Sequence, residues 1–366
     1  ITIQAQDKAV GAVTHYNLTE RIMLSSYAMI QYIKQLFLPG PLSALHPFPA
    51  KSGEGFPLIF KIAPFIAALV LAGVWYSRQY GRLLVFGFGF YLVNVALVLQ
   101  FVTVGMAVMS ERYSYIPHIG LLLALAIALD QYLLPKFKSG TAGYALLAGL
   151  FVPVIAFSLM TRERTKVWKN NKTLWTDVAE KYPETAVAYY NLGTYFMKEV
   201  QDDDSALAWY QKAIQKDPEH ARALINLGLI NGRKKNKDLA LDYFARAEKK
   251  EPGFFELFRN RGYVHSMFGA YDEALADFSK YLELIPTDAQ IYYGRALIYQ
   301  MKKMNDRAYE DFSSAVRYDP YNGNYWVAKA QSAQSLGKTE EARADVQKGI
   351  RLGGKADPTL LKELGL

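Results

Sequence analysis

The chain has 366 residues and no cysteine, which excludes disulfides and thiolate metal sites. Its 5 histidines show no metal-ligand spacing, and its net charge of +8 is not gathered into a basic patch with interleaved aromatics, so neither a metal nor a nucleic-acid partner is expected. Residues 1–162 hold only 11 of the 42 Lys and Arg and 5 of the 34 Asp and Glu. An almost uncharged part therefore precedes one with the charge density of a soluble domain, and at least two domains meet near Thr161–Arg164.

The chain opens at Ile1 with neither methionine nor signal peptide, so a further part is expected upstream. Within 22–38, IMLSSYAMIQYIKQLFL, the apolar residues Ile22, Met29, Ile30, Ile33 and Phe37 follow helical spacing, interrupted by Ser25, Gln31, Lys34 and Gln35. Pro39-Gly40-Pro41 ends the pattern. It predicts a helix lying in the membrane interface, with a further span as the alternative. A bilayer-spanning helix needs about 20 apolar residues. Four segments qualify: 58–76, 83–106, 115–134 and 142–160.

Arg78 and Arg82 lie in one connecting loop, Lys136 and Lys138 in another, and short loops rich in Lys and Arg face the cytoplasm. The loops 39–57 and 107–114 then lie outside, as does everything after Met160. Arg162, Arg164 and Lys166 oppose this orientation locally.

The outer loop before the third span continues into ERYSYIPHIG, residues 111–120. Tyr113 and Tyr115 suit the aromatic belt of a membrane surface. In one reading Arg112 and the tyrosines anchor a helix end. In the other, Glu111 and Arg112 at a helix entrance beside Pro117 form a site.

From residue 184 onward a repeat takes over. Pro218, Pro252, Pro286 and Pro320 recur every 34 residues, and Ala240, Ala274, Ala308 and Ala342 keep the same interval, as do Phe244, Phe278 and Phe312. A 34-residue period with small residues at the helix crossing and proline after the second helix marks tetratricopeptide repeats. Five are expected, at 184–218, 219–252, 253–286, 287–320 and 321–354, with 355–366 as a cap and LWTDVAEKYP (174–183) as part of a degenerate repeat in a junction over 163–183. The fold class is thus all-α: a multi-span transmembrane helical bundle followed by a tetratricopeptide α-solenoid.

Such arrays hold extended segments on a concave face lined by first-helix side chains. In this register Tyr190, Arg222, Arg259, Tyr263 and Tyr293 belong to that face. Asn191, Asn226 and Asn260 recur in YNLG, INLG and RNRG. A column of carboxamides can donate to and accept from a peptide backbone, and asparagine at this position also serves packing.

Membrane helices, an outward RYxYxP segment, then RxxxWKxNxxLWxxxxxxxP leading into tetratricopeptide repeats form an order that resembles the membrane-and-tetratricopeptide glycosyltransferases. This GT-C family includes eukaryotic O-mannosyltransferases and bacterial relatives. The carrying residues are Arg112, Tyr113, Tyr115 and Pro117, then Arg164, Trp168, Lys169, Asn171, Leu174, Trp175 and Pro183; AQDKAVGAV (5–13) and FLPGPLSALHPFP (37–49) also look like family segments.

The resemblance implies transfer of a sugar from a polyprenyl-phosphate donor to a protein hydroxyl outside the cytoplasm, in a bacterial inner membrane. It puts the catalytic carboxylate in a first outer loop expected upstream, so no catalytic residue is assigned and no cofactor is expected. For the donor phosphate the first choice is Arg112, whose fork matches phosphate oxygens. Tyr113 and Tyr115 would donate hydroxyls and Glu111 would orient Arg112; His46 and His118 are weaker candidates. A membrane-anchored repeat scaffold without chemistry is the competing function.

Overall fold

The protein is described as a computed structural model over residues 16–40, 42–49, 55–79, 81–99, 107–136 and 141–366. The segment 5–13 and Lys138 lie outside the described residues. The chain divides into two compact units, Ile1–Ala188 and Tyr189–Leu366. The first unit includes the residues from 163 to Ala188, and the charged residues that follow the last apolar helix are tied into its loops.

In the first unit, α1 (Leu18–Phe37) opens with a capping box in which Asn17 and Glu20 satisfy each other's backbone N–H. Its buried stripe is Leu24, Ser25, Ala28, Met29 and Tyr32; Ile22 and Phe37, which the spacing had put with Met29, are exposed. α2 (Leu58–Ser77) follows the two-residue strand β1 (His46–Pro47). It buries only Phe60, Ala63 and Ala67, a stripe at helical spacing.

The apolar segment at 83–106 departs from expectation. Its helix, α3, spans Arg82–Ala96, and strand β2 begins at Ala107 and ends at Met109. At 15 residues α3 is shorter than a bilayer crossing demands. A 3-10 turn at Glu111–Tyr113 leads into α4 (Tyr115–Ala128), which continues through a π turn, Leu129–Leu133. α5 (Thr141–Val167) carries helix well past the expected end at 160, and α6 (Asn171–Lys181) closes the set.

Among the described residues, two helices are long and apolar enough to cross a membrane, Leu58–Ser77 and Tyr115–Leu133. A four-span bundle is thus not supported by helix length. What the apolar helices share is an outward face without polar cover: Phe65 is 72% exposed and Leu69 73%. α3 and α4 cross at Gly87 and Gly120, where a Cβ on either glycine would stand 2.5 Å or less from the other's carbonyl oxygen. Small residues at such a crossing let two backbones meet without a hydrophobic driving force.

The second unit begins within α7 (Ala186–Tyr195), whose helix passes through a π turn at Phe196–Val200. Paired helices follow: α8 (Asp203–Lys216), α9 (Ala221–Arg233), α10 (Lys237–Lys250), α11 (Phe255–Met267), α12 (Tyr271–Leu284), α13 (Ala289–Met301), α14 (Asn305–Tyr318), α15 (Gly323–Ser335) and α16 (Thr339–Arg351), ending in α17 (Pro358–Glu363). The 34-residue period thus appears as an all-α solenoid. Successive crossings use a small residue under an aromatic ring: a Cβ on Gly228 would come within 2.7 Å of Phe244, and one on Gly262 within 2.7 Å of Phe278, whereas the last hairpin has Val346 in place of the ring.

A second column runs beside the rings. Arg261 makes two bonds to Asp277 at 2.8 and 2.9 Å, Arg295 two to Asp311 at 2.7 and 2.8 Å, and Lys329 one to Asp345 at 2.8 Å. The three aspartates are buried. Each pair joins the first helix of a hairpin to the second, and the cation and acid both recur at the repeat interval.

Candidate functional site

Within the first unit, the ERYSYIPHIG segment is placed by a short antiparallel bridge, β1 to β2, with His46 opposite Met109. Ser110 Oγ donates to the Ala44 carbonyl at 3.0 Å. The Tyr32 hydroxyl donates to the Ser110 carbonyl and accepts from its N–H, both at 3.1 Å. Ser114 Oγ closes the turn on the Glu111 carbonyl at 2.8 Å.

This turn sends adjacent side chains to different environments. Glu111 is buried, whereas Arg112, Tyr113 and Tyr115 are exposed. Arg112 Nη2 donates to the Tyr113 hydroxyl at 3.1 Å, with its guanidinium 5.0 Å from that ring centre. Among the described residues no carboxylate pairs with Arg112. Glu111 therefore does not orient Arg112.

The partner of Glu111 is Arg164, with Oε2 3.6 Å from Nε. Arg164 Nη1 also lies 2.8 Å from Asp177 Oδ2, a charge contact too bent to count as a hydrogen bond. Asp177 Oδ1 takes a 2.5 Å bond from Lys181, which also donates to the Leu42 carbonyl at 2.6 Å. A buried carboxylate needs a cation to offset its desolvation, and here two acids and two bases close a neutral network that ties α6 to residues 42–46 and to the ERY turn. Arg164 is thereby spent on protein carboxylates. His118, the other weak candidate, bonds the Tyr32 carbonyl through Nε2 at 2.9 Å.

Beside this network the Tyr182 hydroxyl lies 2.6 Å from His46 Nδ1. Burial, with Lys181 and Arg164 adding to it, pushes His46 down to about 4. Burial pushes the Tyr182 phenol up to about 12, assisted by Tyr27 and the negative charges of Glu111 and Asp177. At neutral pH, then, Tyr182 donates to an uncharged imidazole. Burial also raises Glu111, against the pull of Arg164.

The histidine gives a pH test. An unfolded histidine binds its proton near 6.5, while folded His46 does so only near 4. Between these values the open form binds more protons, so the local docking is intact above 6.5 and weakens as pH falls toward 4. The full loss is on the order of 3 kcal/mol. Hydrogen exchange of residues 42–47 and 174–182, corrected for intrinsic rate between pH 7.5 and 5, is expected to show progressive opening. His46→Gln should flatten that dependence, and because Glu111 titrates in both proteins, their difference isolates the histidine. An unchanged slope in His46→Gln would show that His46 does not carry the effect.

In the second unit, a concavity of about 170 Å³ is lined by Tyr190, Lys198, Arg222, Ile225, Asn226, Phe254, Glu256, Arg259 and Asn260. It brings together five of the eight residues placed on the groove face by the repeat register: Tyr190, Arg222, Asn226, Arg259 and Asn260. Asn191, Tyr263 and Tyr293 are not part of its lining. Tyr263 packs edge-on to Phe278 at 5.3 Å, and Tyr293 lies against Phe312 and Tyr325.

The carboxamide column is partly used inside the protein. Asn226 Nδ2 donates to the Tyr210 hydroxyl at 2.9 Å, and buried Asn260 accepts from Arg259 Nε at 3.3 Å. Sequence reasoning overlooked Lys198 and Glu256 because they interrupt no repeat position. It also overlooked Asp177, Lys181 and Tyr182, although an acid and a base four residues apart in LWTDVAEKYP share a helix face.

A tetratricopeptide repeat family model matches residues 172–221, 206–254 and 233–289. Mouse protein O-mannosyl-transferase TMTC1 is 26% identical over 123 residues, which is 34% of this chain and 13% of the mouse protein. The human TMTC1 protein is 25% identical over 123 residues, 34% of this chain and 14% of its own length. The match thus spans a small fraction of these relatives.

Two solved structures are similar over about half of this chain. YrrB, described as a TPR protein with an unusual peptide-binding site, is 23% identical, covering 52% of this chain and 98% of its own with a TM-score of 0.43. PilF of Pseudomonas aeruginosa is 19% identical, covering 50% and 82% with a TM-score of 0.45. The chain is an all-α protein with tetratricopeptide repeats and a distant similarity, over about a third of its length, to protein O-mannosyl-transferases.

Proposed function

We propose that this chain is part of an integral-membrane glycosyltransferase that moves a sugar from a polyprenyl-phosphate donor to a polypeptide held in the repeat groove. The observation that carries this reading is the pairing state of the ERY turn. Glu111 is neutralised by Arg164, which leaves Arg112 exposed beside the hydroxyl of Tyr113 and without a carboxylate among the described residues. An unpaired guanidinium at the entrance of an apolar helix suits a phosphodiester at a membrane surface. Tyr115, one turn on, offers a second hydroxyl. The similarity to protein O-mannosyl-transferases supports the same chemistry.

The uncovered apolar faces of α2 and α4 support burial in a lipid bilayer. With the Arg78 and Arg82 loop cytoplasmic, the repeats are expected on the extracytoplasmic side. The domain plan is then a membrane part over 1–162, a junction over 163–183, repeats over 184–354 and a cap over 355–366. The acceptor is a protein segment crossing Tyr190, Arg222, Asn226, Arg259 and Asn260, with Asn191, Tyr263 and Tyr293 extending the same face.

A scaffold without chemistry is favoured by one observation, that the groove is complete without any donor site. The two separate on sugar transfer. Membranes containing the product of the whole reading frame, given polyprenyl-phosphate-linked radiolabelled mannose, are expected to label protein. Replacing Asn191, Asn226 and Asn260 together by alanine should cut that labelling about tenfold, the effect of losing one or two backbone hydrogen bonds, without changing donor binding. Donor binding with no label in protein would leave the scaffold.

A further inference from the structure

We propose that the groove pocket selects an acidic side chain, so that the segment it takes is an extended polypeptide bearing Asp or Glu. This deepens the acceptor-groove reading above and rests on it. Lys198, Arg222 and Arg259 converge on the pocket against a single carboxylate, Glu256. None of the three cations is paired with a carboxylate among the described residues.

Several other cations of the array are answered by acids. Arg233, Lys250, Arg261, Arg295 and Lys329 each meet an acid. The acid on the next hairpin, Asp288, is committed: it accepts from the Tyr281 hydroxyl at 2.7 Å and from the Gln290 N–H at 3.0 Å. Arg222 is held by its ring neighbour, with its guanidinium 5.3 Å from the Phe254 centre, and Arg259 by its bond to Asn260. Both forks are thus positioned without a directly paired carboxylate among the described residues, and an incoming carboxylate answers both.

Glu256 supplies the second half of the recognition. Its Oε2 is buried and accepts no hydrogen bond. Oε2 is closed to solvent, so an extended segment meets this carboxylate with a backbone N–H at Oε1, and the pocket takes an acceptor group on its cationic side and a donor on its anionic side. A basic side chain finds three like charges there, and an uncharged one leaves the guanidinium groups unmatched.

The test uses the full chain in nanodiscs and fluorescein-labelled, carboxy-amidated peptides of alternating glycine with Asp, Asn or Lys, read by fluorescence anisotropy. The Asp peptide is expected to bind at least tenfold more tightly than the Asn peptide, and the Lys peptide not at all. Arg222→Gln with Arg259→Gln should remove that preference. Lys212→Gln with Arg317→Gln, an equal loss of charge elsewhere on the array, should leave it. Equal binding of the Asp and Asn peptides would overturn the acidic preference while keeping the groove as a peptide site. Equal loss in both double variants would overturn the pocket as its source. Failure of all three peptides to bind would overturn the groove reading itself.

Discussion

Asp311→Ala is expected to lower the stability of the repeat array by about 3–5 kcal/mol, the usual effect of removing one partner from a buried ion pair. Asp311 is 6% exposed and receives both prongs of the Arg295 fork. Without it a guanidinium stays in the interior between two helices with only Ser279 Oγ, at 2.9 Å, to accept from it. Most of the effect therefore comes from the stranded charge and little from the lost attraction.

That distinction can be measured. The double variant Arg295→Met with Asp311→Leu removes both charges and keeps the volume, so it should recover most of the loss. Arg233→Ala serves as the comparison, because its pair with Asp203 at 3.2 Å is largely exposed; such surface pairs contribute about 0–1 kcal/mol. Urea unfolding of the full chain in mild detergent, followed by far-UV circular dichroism, reads all three. If Asp311→Ala changed stability no more than Arg233→Ala, the column of pairs would not be a structural element.

Arg112→Ala is expected to weaken donor use by roughly ten- to hundredfold, since a charge-assisted contact to a phosphate oxygen contributes about 1.5–3 kcal/mol. Removing it should cost the fold little, because the side chain is exposed and its bond is to the neighbouring Tyr113. Arg112→Lys keeps the charge and loses the fork, so recovery should be partial. Were Arg112 only an interfacial anchor, lysine would replace it fully and alanine would lower the amount of folded protein instead.

Arg164→Ala provides the contrast. It strands Glu111 in a buried site and leaves Asp177 with Lys181 alone, so it should act through stability and through the docking of α6. The measurement is the dependence of sugar transfer on donor concentration in membranes, normalised to folded protein. Wild-type behaviour in Arg112→Ala would remove Arg112 from the site.

The repeat array was legible in the sequence because its information is local. A hairpin buries residues at fixed intervals, so Gly228 under Phe244 and Gly262 under Phe278 stand as columns 34 residues apart along the chain itself. The apolar helices α2 and α4 were legible for the same reason, since a run of side chains reports directly on its own length. The end of α3 at Ala96 was not, because nothing in an apolar run says where its backbone will leave the helix.

Tertiary structure alone decided which charges meet. In the sequence Glu111 stands next to Arg112, and adjacency suggested a pair. The short β bridge instead turns Glu111 inward, where Arg164, Asp177 and Lys181 arrive from helices far along the chain. Likewise, Arg261, Arg295 and Lys329 can be read as a column, but only the packed hairpins reveal that their aspartates are buried. Local spacing determines secondary structure and repeat. The pairing of a buried charge depends on long-range approach, because its desolvation must be offset by whichever opposite charge the fold brings to it.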